Sequence, residues 1–347
     1  MSNAVAELDE AKLAAYLEGR IAGFRGPLKA TKFPGGQSNP TFRLETASGT
    51  YVLRRKPPGT LLKSAHAVDR EFRVISALRD TEVPVAKAYH LCQDDEVIGS
   101  WFYVMSYEDG RIFWDPGLPD MAKEERRAYF DEMNRVMAAI HDVDLDAVGL
   151  SDYGAPGNYF ERQIGRWSTQ YVASRTDQFE AMEFLMEWLP EHMPADDGSV
   201  SLIHGDYRLD NLIFHKEKPQ IIAVVDWELS TLGHPLADLS YQCMQWRLPR
   251  ESPGIKGLQG VNRTREGLPT EAEYVRQYCE RRGIGPITGW PFYLAFNFFR
   301  LAAIVQGVYK RALDGNASSE KAHMMGALVP VIAQFAIDVI NRGEEIQ

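Results

Sequence analysis

The chain has 347 residues, of which 45% are hydrophobic and 25% are charged, and its formal net charge is −10 at pH 7. This length permits either one large domain or two lobes with a sizeable buried core. The acidic balance argues against nucleic acid as a general partner, because a polyanion would be repelled.

Cysteine usage and apolar segments indicate a cytoplasmic protein. The three cysteines lie far apart and form no CxxC pair: Cys92, Cys243 and Cys279. This spacing argues against a disulfide framework or a zinc site. Acidic residues occur within the first ten positions, and no apolar segment typical of a signal peptide follows. The most apolar stretch, from Trp290 to Val305, contains Asn297 and Arg300, so we predict a core helix and no membrane span.

The N-terminal part predicts one helix followed by strands. Apolar residues recur at helical spacing from Glu10 to Ala22. Polar and apolar residues alternate from Thr41 to Thr46 and resume at Tyr51 after a glycine, which predicts a β-hairpin. The segment from Phe33 to Asn39, just before that hairpin, is rich in glycine. Such a turn can bring backbone N–H groups close to phosphates. Its candidate phosphate contacts are Gly35, Gly36, Ser38 and Asn39.

A second helix and a buried strand complete this part. The helix is predicted from Ser64 to Leu78, and the strand from Trp101 to Met105, running into Ser106 and Tyr107. The sequence beyond that strand changes to long helical patterns. We therefore place a domain boundary there, with one lobe over residues 1–107 and the other over residues 108–347.

The C-terminal part is predicted to be mainly helical. The predicted helices are one ending near His141, then Asn158–Arg175, Pro235–Trp246, Thr270–Arg282, Trp290–Leu313 and Lys321–Arg342. Between two of them, the segment from Leu248 to Pro269 is rich in Pro, Gly and charge. It is typical of a long loop that borders a binding site.

The sequence from His204 to Asn211, together with Asp226, carries the strongest chemical signal. Asp206 and Asn211 are five residues apart, the spacing found in the catalytic loop of protein kinases. Asp226 ends an apolar run, residues 221–225, that predicts a buried strand. Phosphoryl transfer requires an oriented hydroxyl and neutralised phosphate charge. A carboxylate at position 206 suits the first task, and hard oxygen ligands for Mg²⁺ at positions 211 and 226 suit the second.

These residues resemble the aminoglycoside phosphotransferase and choline kinase superfamily, in which His-Gly-Asp replaces the His-Arg-Asp of protein kinases. The resemblance implies an α+β, bilobal, protein-kinase-like fold with a small β-rich N-lobe that binds nucleotide and a larger, mainly helical C-lobe. It implies ATP, or alternatively GTP, as phosphate donor. It assigns Asp206 as catalytic base and Asn211 and Asp226 as magnesium ligands. His204 and Asp238 are assigned as support residues, with Asp238 holding backbone amides of the catalytic loop.

The same resemblance assigns roles in the N-lobe. Arg54 stands where protein kinases carry their phosphate-binding lysine, and an arginine there keeps the charge. Strand alternation puts Arg54 and Lys56 on one face and Arg55 on the other. All three are candidates for the phosphate contact, and we prefer Arg54. Glu71, on the second helix, is the expected carboxylate partner of Arg54. Ser106 and Tyr107 occupy the hinge position, where backbone groups meet the adenine edge.

The acceptor is predicted to be anionic. The loop between residues 247 and 265 contains a single acid, Glu251, and five basic residues: Arg247, Arg250, Lys256, Arg263 and Arg265. A basic loop on an acidic protein favours an anionic ligand, whereas aminoglycosides and choline are cations. A solvated loop that touches no ligand is the alternative.

A closer resemblance concerns kinase-like domains that occur alone in bacteria or fused to an acyl-CoA dehydrogenase. It rests on residues 51–59, 65–66, 70–72 and 162–167, and it implies a hydroxyacyl substrate, either a CoA thioester or a hydroxy acid. Arg162, Arg166, Arg247 and Arg250 are then candidates for binding the acceptor's charge. Arg300, inside an apolar helix, needs a carboxylate partner from the protein or from the substrate.

Other functions remain open at this point. An aminoglycoside, choline or sugar kinase of the same superfamily is one alternative, and a nucleotide-binding pseudokinase or scaffold is another. A protein kinase is disfavoured because no Ala-Pro-Glu-like segment follows Asp226. A metal hydrolase built on His204, Asp206 and Asp226 would need further histidines at metal-ligand spacing. The sequence does not indicate an oligomeric state.

Overall fold

The structure is a computed structural model that describes residues 8–34, 39–57, 67–155, 157–251, 256–315 and 320–343. It divides into two units. The first contains residues 1–112, 147–150 and 211–230, and the second contains residues 113–146, 151–210 and 231–347. The predicted assignment of nucleotide binding to residues 1–107 and of catalysis to residues 108–347 stays a prediction. Three predicted phosphate contacts, Gly35, Gly36 and Ser38, lie outside the described residues.

The first unit is built on a five-stranded antiparallel sheet. Its strands are β1 (Leu28–Lys32), β2 (Thr41–Thr46), β3 (Gly49–Arg55), β4 (Ala88–Cys92) and β5 (Phe102–Ser106). They are ordered β1-β2-β3-β5-β4. The predicted hairpin is confirmed as β2–β3, with Thr46 opposite Gly49. The predicted strand before Ser106 is confirmed as β5.

Three helices accompany this sheet: α1 (Glu10–Glu18), α2 (Val68–Ala77) and α3 (Asp95–Ile98). Leu13 and Leu17 of α1 are fully buried in one core with sheet residues such as Leu44 and Leu53. The predicted first helix ends four residues early, because Gly19 forms its C-cap and glycine favours termination.

A short hairpin in the first unit positions two predicted metal ligands. It consists of β7 (Leu212–Phe214) and β8 (Ile221–Val224), and Leu212 pairs with Val224. Asn211 therefore lies beside residue 225, whose backbone N–H donates to the carbonyl of Asn211 at 2.9 Å. Asp226 follows in the left-handed region, with φ of 66°. The predicted strand before Asp226 is confirmed.

The second unit is mainly helical. Its helices are α4 (Lys123–His141), α5 (Tyr159–Ser174), α6 (Glu180–Glu191), α7 (Leu236–Cys243), α8 (Glu271–Arg282), α9 (Trp290–Leu313) and α10 (Leu328–Arg342). A strand pair, β6 (Ser201–Ile203) with β9 (Thr231–Gly233), leads into the predicted catalytic loop. Helix α9 packs against α5, α6, α7 and α10.

In this unit one predicted helix needs correction and one helix was not predicted. The helix expected from Lys321 begins as a 3-10 turn, Glu320–Ala327, before α10. Gly326 in that turn lies against the ring of Tyr309, where a Cβ would come within 2.6 Å, and glycine is a poor α-helix former. Helix α6 was not predicted, although Met182, Leu185 and Leu189 bury one face of it.

Two helical segments are long and apolar enough to cross a membrane by length and composition. The first is Trp290–Leu313, whose most apolar window is 78% buried, and the second is Ala322–Arg342, at 28%. A buried core helix passes the same test, and the burial of α9 agrees with the core helix predicted there. The three cysteines are unpaired and buried.

Candidate active site

In the first unit, Arg54 lies at the centre of an ion-pair cluster. Its Nε is 2.9 Å from Oε2 of Glu71, and its Nη2 is 2.6 Å from Oδ1 of Asp226 and 3.4 Å from Oε2 of Glu228. The amide of Asn39, a predicted phosphate contact, donates to Glu71 at 2.8 Å and to Glu228 at 3.3 Å. The predicted pair of Arg54 with Glu71 is therefore present, whereas nucleotide binding by this cluster stays a prediction.

Strand register places Arg54, and not Arg55, beside Glu71. On β3, Arg54 pairs with Tyr103 of β5, and the Tyr103 hydroxyl donates to Glu71 at 3.2 Å. Arg55 extends elsewhere and donates to the hydroxyl of Ser100 at 2.8 Å and to a backbone carbonyl at 3.0 Å. Lys56 lies over the ring of Trp101 at 3.9 Å. Arg54 and Arg55 therefore have different surroundings, as strand alternation predicts, and phosphate contact by Arg54 stays a prediction.

The Arg54 cluster holds more negative than positive charge. Burial alone lowers the pKa of Arg54, but Glu71 and Asp226 outweigh it and raise the pKa above its ordinary value. Arg54 therefore stays charged, and three carboxylates surround it. Glu228 was not predicted, and its position two residues after Asp226, on a 3-10 turn (Trp227–Leu229), is the signal that could have identified it. A further cation would balance the excess carboxylate charge.

The side chains of Asn211 and Asp226 suit Mg²⁺. An amide oxygen and a carboxylate are hard donors, and Mg²⁺ typically takes one or two protein ligands and completes its shell with phosphates and water. The β7–β8 pairing places both residues at the same end of one hairpin. Over the described ranges, no group of three or more His, Cys, Asp or Glu side chains is placed to hold a metal. The residues fit a shared Mg²⁺–nucleotide site, and this role stays a prediction.

In the second unit, Asp206 is oriented by two residues. The Tyr241 hydroxyl donates to Oδ1 of Asp206 at 2.5 Å, and Nε of Arg208 lies 3.2 Å from the same oxygen. Burial raises the pKa of Tyr241, and the Asp206 carboxylate raises it further, so the hydroxyl stays a donor. Neither residue was predicted. The position of Arg208, two residues after Asp206, was a usable signal, whereas Tyr241 gave none.

Asp238 supports the loop that carries Asp206. Its two carboxylate oxygens accept the backbone N–H groups of His204 at 2.6 Å and Gly205 at 2.8 Å. Burial alone raises the pKa of Asp238, but the hydrogen bond with His141 and the other contacts lower it below its ordinary value. Gly205 has φ of 83°, where a side chain would be strained. The predicted contact between Asp238 and the loop amides is present, and His204 is fully buried as a support residue should be.

Arg300 reaches the same loop from α9. Its Nη2 donates to the carbonyl of Gly205 at 2.6 Å. Its guanidinium carbon lies 5.5 Å from the ring centre of Tyr241 and 5.9 Å from that of Trp167. The expected carboxylate partner is not found among the described residues of the protein.

The other predicted contact residues have different surroundings. Arg247 forms two hydrogen bonds with Glu271, at 2.7 and 2.8 Å, which neutralise part of the basic loop. Arg162 donates to the backbone carbonyl of Gly157, just before α5, and Arg250 is exposed. The exposed Arg166 lies 5.3 Å from the ring of Trp167. The acceptor roles of these arginines stay predictions.

The predicted hinge residues lie at the end of β5 in the first unit. Ser106 ends β5, and its backbone N–H donates to the carbonyl of Lys87 at 2.9 Å. The ring of Tyr107 lies 5.0 Å from the guanidinium of Arg43. Adenine contact by Ser106 and Tyr107 stays a prediction.

Comparison with known proteins assigns the family. A profile described as "Phosphotransferase enzyme family" matches residues 29–291. The chain belongs to this family. It is an enzyme that transfers phosphoryl groups to hydroxyl groups. The alternative of a metal hydrolase is thereby set aside.

Named relatives of this phosphotransferase are longer proteins. It is 48% identical over 331 residues to mouse "Acyl-CoA dehydrogenase family member 10", covering 95% of this chain and 31% of that protein. It is 41% identical over 341 residues to human "Acyl-CoA dehydrogenase family member 11", covering 97% and 44%. The chain thus spans less than half the length of these relatives.

Solved structures confirm the fold class. A crystal structure from Ralstonia eutropha, described as a "putative aminoglycoside phosphotransferase", is 49% identical with a TM-score of 0.87, covering 97% of this chain and 99% of that one. Spectinomycin phosphotransferase, solved with ADP and spectinomycin, has a TM-score of 0.63 at 11% identity over 96% and 99%. The predicted α+β kinase-like fold, with a β-rich and a helical part, is confirmed.

Proposed function

We propose that this phosphotransferase is a Mg²⁺-dependent small-molecule kinase that transfers the γ-phosphate of ATP to an acceptor hydroxyl. The observation that carries the proposal is the setting of Asp206. Tyr241 and Arg208 both contact its Oδ1, and Asp238 holds the two amides that precede it. A general base must be held in a fixed orientation, and these contacts support that role for Asp206.

Each part of the chemistry has candidate residues. Asp206 accepts the proton of the acceptor hydroxyl as its oxygen attacks the γ-phosphorus, and ADP leaves. Arg208, beside Asp206, offsets negative charge on the transferred phosphoryl group. In the first unit, Arg54 binds phosphate oxygens, and Asn211 and Asp226 would hold Mg²⁺. When bound, the metal neutralises phosphate charge.

The proposed acceptor is a hydroxyacyl-CoA or the corresponding hydroxy acid. Relatives at 41% and 48% identity carry acyl-CoA dehydrogenase names, and the matching region covers less than half of each. A kinase joined to such an enzyme would act usefully on a compound of the same acyl-CoA class. The basic loop supports an anionic acceptor less strongly than its sequence indicates, because Arg247 is already paired with Glu271.

The test is Mg²⁺-dependent ADP release with a panel of hydroxyacyl-CoAs, free hydroxy acids, choline, a sugar and an aminoglycoside. We expect turnover with a hydroxyacyl-CoA or hydroxy acid that disappears when EDTA replaces Mg²⁺. Asp206→Asn should lower kcat by about 100-fold to 10,000-fold, the usual contribution of a general base. Asp131→Asn, which alters an exposed carboxylate paired with Arg281, is the matched control and should leave kcat unchanged.

The opposite results are equally informative. Turnover with choline or the aminoglycoside alone would contradict the proposed acceptor and leave the kinase reaction intact. Full activity of the Asp206→Asn variant would contradict the role of Asp206. ATP binding without turnover of any acceptor would favour the scaffold alternative.

A further inference from the structure

Arg300 differs from the other buried arginines in its partners. Four arginines of the described residues are buried: Arg54, Arg55, Arg126 and Arg300. Arg54 and Arg126 have carboxylate partners, and Arg55, which has none, donates to both a hydroxyl and a carbonyl. Arg300 is only 5% exposed, yet within the described parts of the chain it donates to one carbonyl and has no carboxylate within 4.0 Å.

The remaining donors of Arg300 can be reached by a ligand. A guanidinium has five N–H donors, and one hydrogen bond to Gly205 leaves most of them without an acceptor among the residues that the structure describes. Its Nε and Nη1 are not among the fully enclosed, unpaired polar atoms of the described residues, so each retains accessible surface. A buried cation without a counter-ion is costly, which favours a bound anion.

The surroundings of Arg300 orient it and add positive charge. The rings of Tyr241 and Trp167 lie within 6 Å of its guanidinium carbon and restrict where it can point. Burial raises the pKa of Tyr159, whereas Arg300, Arg162 and Arg166 lower it, so three cations lie in electrostatic range of that hydroxyl. Asp206, through Tyr241, and Asp238 are the acids of the same region.

We propose that Arg300 binds the acceptor's anionic group, a carboxylate or a phosphate, next to the catalytic loop. This inference rests on the proposed function, since it assumes an acceptor bound at Asp206. The hydrogen bond to the carbonyl of Gly205, the residue before Asp206, places the guanidinium of Arg300 next to the loop that carries Asp206. An anion held there lies close to the hydroxyl that reacts. A carboxylate near the hydroxyl can reach Arg300 directly, whereas a CoA phosphate must fold back along its pantetheine arm.

The test measures binding without turnover. Isothermal titration, with Mg²⁺ and a non-hydrolysable ATP analogue, is carried out with four probes: 3-hydroxyoctanoate, its neutral amide, 3-hydroxyoctanoyl-CoA and the neutral 3-hydroxyoctanoyl-pantetheine. Arg300→Met removes the charge at similar length. It should weaken the binding of a charged probe by about 10-fold to 100-fold, the loss expected for charge-assisted hydrogen bonds. The affinity for the neutral counterpart should not change. If Arg300→Met loses affinity for the free acid, the anion that Arg300 binds is a carboxylate. If it loses affinity for the CoA ester, the anion is a phosphate.

Two further variants keep the test decisive. Arg126→Met removes a buried arginine of the same unit that is paired with Glu266, and it should not alter the discrimination between charged and neutral probes. Arg300→Lys keeps the charge and a donor for Gly205 but loses the planar fork. It should weaken the charged probe by no more than about 10-fold. If Arg300→Met does not fold, Arg300→Gln replaces it, because the amide removes the charge but keeps a donor for Gly205.

The outcomes separate this inference from the proposed function. Equal weakening of charged and neutral probes would overturn it and make Arg300 a positioning residue for the loop. Failure of the wild-type protein to bind either charged probe would also overturn it, even if a sugar is phosphorylated well. Binding of a charged probe that depends on Arg300, but without ADP release when ATP is supplied, would support the site while contradicting the proposed reaction.

Discussion

Replacing Asp238 by Asn tests whether this carboxylate holds the catalytic loop. Asp238 is 1% exposed and accepts two backbone N–H groups, at 2.6 and 2.8 Å, with one oxygen each. An asparagine keeps one oxygen, but its NH₂ group then faces the other N–H. A hydrogen bond to a charged group contributes about 1.5 to 3 kcal/mol, and a buried donor left unpaired costs about 1 to 3 kcal/mol.

We therefore expect Asp238→Asn to lower the free energy of unfolding by about 2 to 4 kcal/mol. For 347 residues, the unfolding entropy is about 0.7 kcal/mol/K, so the melting temperature should fall by about 3 to 5 °C. Displacement of Asp206 by even a fraction of an ångström should also lower kcat, by up to about 100-fold. The KM for ATP should stay the same.

The assay combines thermal unfolding, followed by circular dichroism, with ADP release at saturating ATP. Asp131→Asn is the control, because its ion pair with Arg281 is partly exposed and pairs near the surface contribute about 0 to 1 kcal/mol. The reasoning would be refuted if Asp238→Asn melted with the wild-type protein and kept its kcat. A drop in melting temperature with unchanged kcat would show that Asp238 stabilises the fold but does not position Asp206.

Three further changes test other contacts. Arg54→Met leaves three carboxylates without their guanidinium and should lower the free energy of unfolding, measured in urea, by about 3 to 5 kcal/mol. The control Arg43→Met, at an exposed ion pair, should lower it by less than about 1 kcal/mol. Equal losses would contradict a stabilising role of the Arg54 cluster. Tyr241→Phe removes one donor from Asp206 and should lower kcat about 10-fold with little change in melting temperature, and an unchanged kcat would show that Arg208 suffices. Burial lowers the pKa of His141, although Asp238 opposes this shift, so the native state binds this proton less readily than the unfolded state. The contribution of His141 to the free energy of unfolding is therefore fully present above about pH 6.5 and is lost as the pH falls below that value. The melting temperature should fall between pH 8 and pH 5, and His141→Gln should make this fall smaller.

Local patterns in the sequence identified much of the candidate site. The spacing of Asp206 and Asn211 and the apolar run before Asp226 predicted the catalytic loop and strand β8, because both signals lie within a few residues. Alternation along β3 separated Arg54 from Arg55, since successive side chains of a strand point to opposite faces. The contacts of Asp238 with the loop amides and of Glu71 with Arg54 were predicted from the family resemblance, and both are present.

Contacts between residues far apart in the chain were decided by the tertiary structure alone. Tyr241 reaches Asp206 from 35 residues away, and Asp226 reaches Arg54 across 172 residues. Arg300, 95 residues from its partner carbonyl, was predicted to need a carboxylate, but packing of α9 placed it beside Gly205. No local pattern encodes such pairs, because they depend on how helices and strands pack. The sequence by itself predicted the fold class and the candidate reacting groups, because their signals are local. The packing decided which side chains contact those groups, because such contacts join distant parts of the chain.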